Sequence, residues 1–159
     1  QTSRGLGDVY KRQGQQLYRI IPRTILSTLT KKPLFLDGDG ISERSFIHIE
    51  DVNNALLKIT LDAKPGTSWH ISTNSKISIK NLVLKICNQN NINHEEIIKS
   101  SKERLGKDQS YLLDSSSLRS NFNWKDEISL DEGLKLTKRW VKANLNQFKQ
   151  MSWVYEHKI

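Results

Sequence analysis

The sequence is short of several residue types, and each shortage excludes a class of structure. Its 159 residues include one cysteine, three prolines and one methionine. Because Cys87 has no second cysteine to pair with, no disulfide can form within the chain, and a reduced cytoplasmic setting is expected. No apolar run approaches the roughly 18 residues that cross a bilayer, so neither membrane insertion nor secretion is expected.

Motifs that carry catalysis or bind metal are also absent. The four histidines lie far apart with no cysteine cluster beside them, so no metal site is predicted. The sequence has no G-x-S-x-G, no G-x-x-x-x-G-K-[ST] and no H-E-x-x-H. Gly38 and Gly40 lack a third glycine at the spacing of a dinucleotide-binding loop. We therefore predict no catalytic residue in this chain.

Positive charge is plentiful, and 25 Lys and Arg against 17 Asp and Glu give a net charge of +8. The cations are spread along the whole chain, mostly one or two at a time, with no arginine-rich run and no interleaved aromatic platform. Nucleic acid is therefore not the expected partner, whereas a small anion needs only two or three of these cations. A stand-alone basic module that binds an anionic partner such as nucleic acid stays open as the alternative.

Hydrophobic periodicity predicts one α/β domain of short strands and several helices. Residues 1–13 are polar and without a period, so we expect a non-native or disordered leader there and a single domain over 14–159. Helices are predicted from Arg19 to Lys31, from Glu50 to Ile59, from Ser78 to Ile86, from Ser115 to Phe122 and from Leu130 to Leu145. Strands are predicted at 34–36, 46–49, 69–71 and 111–113.

Five segments of the chain stand in a recognisable order. They are Gly14–Pro22 (GQQLYRIIP), Lys32–Val52 (KPLFLDGDGISERSFIHIEDV), Trp69–Thr73 (WHIST), Arg104–Leu118 (RLGKDQSYLLDSSSL) and, after Trp124, Ser129–Gly133 (SLDEG). Together they resemble the C-terminal half of the extended short-chain dehydrogenase/reductases. Within that family they look most like NAD-dependent nucleotide-sugar 4,6-dehydratases of the dTDP-glucose type and their epimerase relatives.

The resemblance implies a C-terminal substrate-binding lobe whose Rossmann domain is missing from this sequence. The family binds NAD through G-x-x-G-x-x-G and carries a Tyr-x-x-x-Lys pair, and this sequence has neither. It further implies a homodimeric enzyme that oxidises C4 of a nucleotide-linked hexose before dehydration or epimerisation. We therefore expect a gene fragment that is inactive alone. A fragment that is not stably folded without the Rossmann half is another open reading.

Site residues follow from the resemblance position by position. Four cations stand where the family holds the substrate's nucleotide and phosphates: Arg19, Arg44, Arg104 and Lys107. Phe35 and Asp37 occupy the strand and loop that usually flank the base, although Asp37 replaces a frequent aromatic residue. The alternative for Arg44 is a surface ion pair with Glu43 or Asp39. Glu50 and Asp51 could be read as a catalytic carboxylate pair, but their position at a helix start favours capping through the helix dipole.

Overall fold

The computed structural model describes residues 16–101 and 108–153. The expected leader at 1–13 and two of the expected site residues, Arg104 and Lys107, lie outside these ranges. The described helices are α1 (Ile20–Thr30), α2 (Ile49–Asp62), α3 (Ile79–Gln89), α4 (Ser116–Phe122), α5 (Leu130–Ala143) and α6 (Leu145–Phe148). The strands are β1 (Leu34–Asp37), β2 (Glu43–Arg44), β3 (Ile77–Ser78), β4 (Ile98–Ser101) and β5 (Ser110–Tyr111), with 3-10 turns at Gly38–Gly40 and His94–Glu96.

The predicted helices form where local signals start them. Ser78 caps α3, because its hydroxyl accepts a hydrogen bond from the Asn81 amide at 3.1 Å. Ser129 caps α5 in the same way through the amide of Glu132 at 3.3 Å. Pro22 lies in the first turn of α1, where a missing N–H costs no intrahelical bond.

Two small sheets join segments that are distant in the chain. Strand β1 pairs with β4 in parallel, with Leu34 opposite Ile98 and Asp37 opposite Ser101. Strand β2 is the centre of the other sheet, antiparallel to β3 and parallel to β5. The sheets therefore bring residues 34–37 next to residues 98–101, and residues 43–44 next to residues 110–111.

Helix α3 divides the main core because its two faces enter different clusters. Leu82 and Ile86 pack with α1 and α5 in a first cluster. Val83 and Cys87 pack beneath β1 and β4 in a second cluster, and burial raises the pKa of the Cys87 thiol. A third cluster lies under α2 and α4; it contains Ala55, Leu118 and Trp124, with Ile47, Ile59, Trp69, Ile71 and Phe122 packed against them.

Several predicted element bounds are wrong. The run 46–49 is not a strand: β2 precedes it at Glu43–Arg44, and Ile49 already belongs to α2. Residues 69–71 form no strand either, because no described strand pairs with them. The last helix is interrupted at Asn144, whose backbone amide and side chain both donate to the Trp140 carbonyl, at 3.2 Å and 2.9 Å. None of the described helices is long and apolar enough to cross a membrane.

Candidate functional site

Two backbone carbonyls hold the Arg44 side chain. Its Nη1 donates to the Glu43 carbonyl at 2.6 Å, and its Nη2 donates to the Asp108 carbonyl at 2.7 Å. Both acceptors are neutral, and the Glu43 carboxylate instead binds Lys76 Nζ at 2.5 Å. The alternative for Arg44, a surface ion pair with Glu43 or Asp39, is therefore not formed. Within the described ranges the Arg44 guanidinium keeps a positive charge that no carboxylate neutralises.

The glycine-containing turn before β2 serves packing. Gly38, Asp39 and Gly40 all have positive φ, at 56°, 52° and 69°, and reverse the chain between β1 and β2. A Cβ on Gly40 would lie 2.9 Å from the backbone nitrogen of Lys80, in the first turn of α3. Glycine is needed here because two backbones approach closely at a left-handed position. The turn leads into a strand and not into a helix, so it is no phosphate-binding loop of the dinucleotide type.

The two residues expected to flank the base, Phe35 and Asp37, differ in whether their side chains are available to a ligand. Phe35 is 50% exposed and lies opposite Lys99 in the parallel pair, so its ring is available to a ligand. Asp37 is already engaged, since its carboxylate accepts a hydrogen bond from the Ser101 hydroxyl at 2.8 Å. The Asp39 carboxylate accepts from Ser100 in the same way. These two bonds attach the end of β4 to the turn that precedes Arg44.

Arg19 is not joined to this group by any described contact. It is the exposed residue before α1, and its guanidinium carbon lies 5.4 Å from the centre of the neighbouring Tyr18 ring. Arg104 and Lys107 lie outside the described ranges, and described residues flank them on either side. Ser101 contacts Asp37, and Asp108 contacts Arg44.

The side chain of Arg119 forms a hydrogen-bond network that no motif in the sequence indicated. The Arg119 side chain donates to Ser115 Oγ at 3.0 Å, to the Ser72 carbonyl at 2.9 Å and to Asp126 Oδ1 at 2.7 Å, and it lies 4.9 Å from the Trp124 ring centre. Burial disfavours the Asp126 carboxylate, but hydrogen bonds from Arg119 and Thr73 outweigh it, so its pKa lies below the usual value. The other partners lie within seven residues of Arg119, whereas Ser72 lies 47 residues before it and is brought there by folding.

Asp51 does more than stabilise a helix start. It lies in the first turn of α2 as predicted, yet its side chain is buried and accepts from the amides of Glu127 at 3.0 Å and Ile128 at 3.1 Å. Its own carbonyl accepts from Trp124 Nε1 at 3.1 Å. Asp51 thereby ties α2 to the link between α4 and α5, and both carboxylate oxygens are used in this contact.

Two hollows in the described part of the chain lie away from Arg44. One hollow of about 450 Å³ runs along α5 beside Lys135, Lys138 and Arg139, and another of about 420 Å³ lies between α3 and α5. Neither is lined by a residue of β1 or β2. Both are shallow and open, so we assign the candidate site by charge and contacts and not by cavity volume. The described residues contain no group of three side chains able to hold a metal ion.

A family comparison agrees with this architecture. The model of the family described as GDP-mannose 4,6 dehydratase matches residues 9–137, which is more than half of the chain. The chain belongs to the GDP-mannose 4,6 dehydratase family. The expected membership of the nucleotide-sugar dehydratase group is therefore confirmed.

Relatives of this family member are considerably longer. A probable dTDP-glucose 4,6-dehydratase of Sinorhizobium fredii is 27% identical over 132 residues, which are 79% of this chain and 38% of the relative. The dTDP-glucose 4,6-dehydratase of Shigella flexneri is 27% identical over 134 residues, covering 80% of this chain and 37% of that enzyme. The chain thus spans about two fifths of the length of these curated relatives.

Solved structures confirm the fold as part of a Rossmann-type dehydratase. The Bacillus anthracis dTDP-glucose 4,6-dehydratase in complex with NAD matches with a TM-score of 0.79 at 23% identity, over 86% of this chain and 43% of that one. The Bordetella bronchiseptica enzyme WbmF in complex with NAD⁺ and UDP matches with a TM-score of 0.70 at 29% identity, over 83% of this chain and 38% of that one.

NAD is the cofactor of these neighbours, but the residues of this chain do not fit it. A dinucleotide needs a strand, a glycine-rich turn and a helix N-terminus in succession. Within the described residues, the closely spaced glycines Gly38 and Gly40 are followed by β2, and Gly40 is packed against the Lys80 backbone. No chemical step is therefore assigned to the cofactor within this chain.

Proposed function

We propose that this chain binds the nucleoside diphosphate of a nucleotide sugar, as the substrate-binding part of an NAD-dependent 4,6-dehydratase or epimerase. The observation that carries the proposal is Arg44, a half-buried guanidinium anchored on two carbonyls without a carboxylate partner in the described chain. A diphosphate supplies the missing negative charge. Support comes from the family match and from neighbours solved with UDP and with TYD.

Arg44 keeps donors for a ligand after its structural bonds are made. A guanidinium has five N–H groups in a plane, and the two carbonyl bonds use one each on Nη1 and Nη2. The remaining donors suit the paired oxygens of a phosphate, and a bond to an anionic oxygen is about twice as strong as one to a neutral oxygen. The carbonyl anchors orient the guanidinium before the ligand arrives, which lowers the entropy cost of binding.

The other candidate residues take supporting roles in this proposal. The exposed ring of Phe35 offers a flat apolar surface to the base. Asp37 positions the end of β4 through Ser101. Arg19, Arg104 and Lys107 complete the positive surroundings of the phosphates, as the family resemblance implies.

Chemistry on the sugar belongs to groups that this chain does not contain. The proposed reaction of the intact enzyme oxidises C4 of the hexose and then eliminates water or inverts a centre. Binding energy from the nucleotide holds the reacting carbon in place for those groups. We accordingly propose that the chain alone binds nucleotides without turnover.

Calorimetric titration of the chain with dTDP, UDP and GDP tests the proposal. Arg44→Ala is expected to weaken binding of the preferred diphosphate by about 10- to 100-fold, the value of one to two charge-assisted hydrogen bonds. The matched control is Arg139→Ala, which removes an exposed arginine from α5. Equal affinity in Arg44→Ala and the unmodified chain would overturn the assignment.

A cationic face on α5 favours a second candidate, binding of a polyanion such as nucleic acid. Lys135, Lys138, Arg139 and Lys142 lie on successive turns of that helix. Desolvation and the nearby charge of Lys142 lower the pKa of Lys138. Titration of random duplex DNA at several salt concentrations separates the two functions, because phosphate contacts produce a steep salt dependence. That dependence should fall in Arg139→Ala and not in Arg44→Ala if this second candidate holds.

A further inference from the structure

Glu43 places a carboxylate next to Arg44 in the chain, and the two side chains leave β2 on opposite faces. Successive side chains of a strand point to opposite faces of its sheet. In the antiparallel pair with β3, Glu43 lies opposite Ser78. The residue two positions before Ser78 is the diagonal neighbour of Glu43 on the same face, and this residue is Lys76. Its Nζ binds Glu43 Oε2 at 2.5 Å.

The backbone of Lys76 is held on both sides. Strand β3 begins at the next residue, Ile77, which pairs with Arg44. Before Lys76, the Thr73 hydroxyl accepts a hydrogen bond from the Ser75 amide at 3.3 Å and lies 3.2 Å from the Ser75 hydroxyl. The turn and the strand together fix the point from which the Lys76 side chain reaches β2.

A free Glu43 carboxylate would compete for Arg44. The guanidinium now binds two neutral oxygens, the carbonyls of Glu43 and Asp108. Because it already reaches back to the Glu43 backbone at 2.6 Å, a carboxylate released on that residue would lie within reach of it. A hydrogen bond to a carboxylate is about twice as strong as one to a carbonyl, so the carboxylate would replace one of the two acceptors. The resulting ion pair would cancel the charge that a diphosphate needs.

We propose that Lys76 is a positioning residue: by holding the Glu43 carboxylate, it keeps the Arg44 guanidinium free for phosphate oxygens. This inference rests on the proposed function and adds a residue to it. Both side chains of the ion pair are more than a third exposed, and exposed pairs contribute little to folding stability. Replacement of Lys76 should therefore leave the fold intact, and its effect should appear in the affinity for the ligand.

Calorimetric titration of the chain with dTDP, UDP and GDP tests this role. Lys76→Met should weaken binding of each of these ligands by the same factor, about three- to tenfold, because the diphosphate is common to all three. Adding Glu43→Gln to Lys76→Met should restore the affinity to within about twofold, because no carboxylate is then left to compete. Lys76→Arg should keep the affinity, since arginine also pairs with a carboxylate.

Lys85→Met is the matched control. It removes a lysine that also binds a carboxylate, that of Asp131 at 2.8 Å, on the side of α3 that faces α5. It lowers the net charge by one, as Lys76→Met does, so a general effect of charge would appear in both variants. We expect it to change the affinity by less than about twofold. Equal weakening in the two variants would overturn the proposal, and so would a failure of Glu43→Gln to restore binding in Lys76→Met.

The side-chain nitrogen resonances of Arg44 test the same contact without a ligand. In Lys76→Met they should shift, because the guanidinium then binds the Glu43 carboxylate, and adding Glu43→Gln should return them towards their original positions. Unchanged Arg44 resonances in Lys76→Met would overturn the proposal. A chain that shows the shift and its reversal but binds none of the three diphosphates would keep the role of Lys76 towards Arg44 and remove the proposed function.

Discussion

The guanidinium of Arg44 donates to the backbone carbonyl of Asp108, 64 residues further along the chain. The contact lies where β5 begins to run parallel to β2, next to a hydrogen bond of 2.7 Å from the Glu43 amide to the Gln109 carbonyl. A side chain that binds the start of one strand from the neighbouring strand has little freedom left. This is why Arg44 is a better candidate for a ligand contact than the freely exposed Arg19.

Arg44→Lys should separate the contribution of positive charge to nucleotide affinity from the contribution of the planar guanidinium. Lysine keeps the positive charge, but one ammonium cannot reach both carbonyls and a diphosphate in the planar manner of arginine. We expect an affinity for the preferred nucleoside diphosphate between those of the unmodified chain and Arg44→Ala, measured by calorimetry. Affinity equal to that of the unmodified chain would mean that charge alone matters at this position.

Asp51→Asn should destabilise the fold strongly. The two carboxylate oxygens accept from the amides of Glu127 and Ile128, and an asparagine NH₂ would face one of these donors. We expect a loss of about 2 kcal/mol or more in the free energy of unfolding by urea, because a buried donor is left unsatisfied. Asp62→Asn, at the exposed end of the same helix, is the control and should change stability by under about 0.5 kcal/mol.

Gly40→Ala and Gly66→Ala should differ although both positions have positive φ. A Cβ at position 40 meets the Lys80 backbone at 2.9 Å, whereas nothing lies within 4 Å of a Cβ at position 66. The strain of a left-handed residue, about 1 kcal/mol, applies to both, and the clash is added only at position 40. Urea unfolding should therefore show the larger loss for Gly40→Ala. Equal losses would show that α3 moves away at no cost.

Asp126 should make the fold sensitive to acid. Its pKa is lowered in the folded chain because the hydrogen bonds from Arg119 and Thr73 outweigh the effect of burial. The folded state therefore binds fewer protons, and the stabilisation is complete above a pH of about 4 and is lost as the pH falls through the lower folded pKa.

Melting temperatures between about pH 7 and pH 2 measure this contribution. Asp126→Asn should lower the melting temperature near neutral pH. It should also reduce the difference between the melting temperatures measured at neutral and at acid pH. Glu127→Gln, which removes an exposed carboxylate 3.9 Å from Lys125, is the matched control. An unchanged acid dependence in Asp126→Asn would contradict the prediction.

The helices could be read from the sequence because their signals are local. Ser78 and Ser129 cap helices at the predicted positions, and the apolar spacing from Val52 to Ile59 produced α2. The predictions of strands at 46–49 and 69–71 were wrong, because an apolar pattern indicates extended chain but does not show which segment will hydrogen-bond to it. The predicted strand at 46–49 begins two residues after the end of the observed strand β2 at Glu43–Arg44.

The candidate site was predictable only in part. Arg44 and Phe35 were named from the sequence, and the structure shows one anchored and the other exposed. That Asp37 binds Ser101 could not be foreseen, because the parallel register of β1 and β4 joins residues 64 positions apart. The half-buried network of Arg119 and Asp126 was missed because it includes the Ser72 carbonyl, 47 residues before Arg119.

By itself, the sequence determined the helical segments, the caps that start α3 and α5, the absence of a dinucleotide-binding loop and the resemblance to nucleotide-sugar dehydratases. These properties depend on residues that are neighbours in the chain or on motifs read in order. Only the tertiary structure decided the two sheets, the tertiary role of Asp51 and the anchoring of Arg44 on Asp108. Each of these depends on pairing between distant segments, whose free energy arises from packing and desolvation that no local pattern contains.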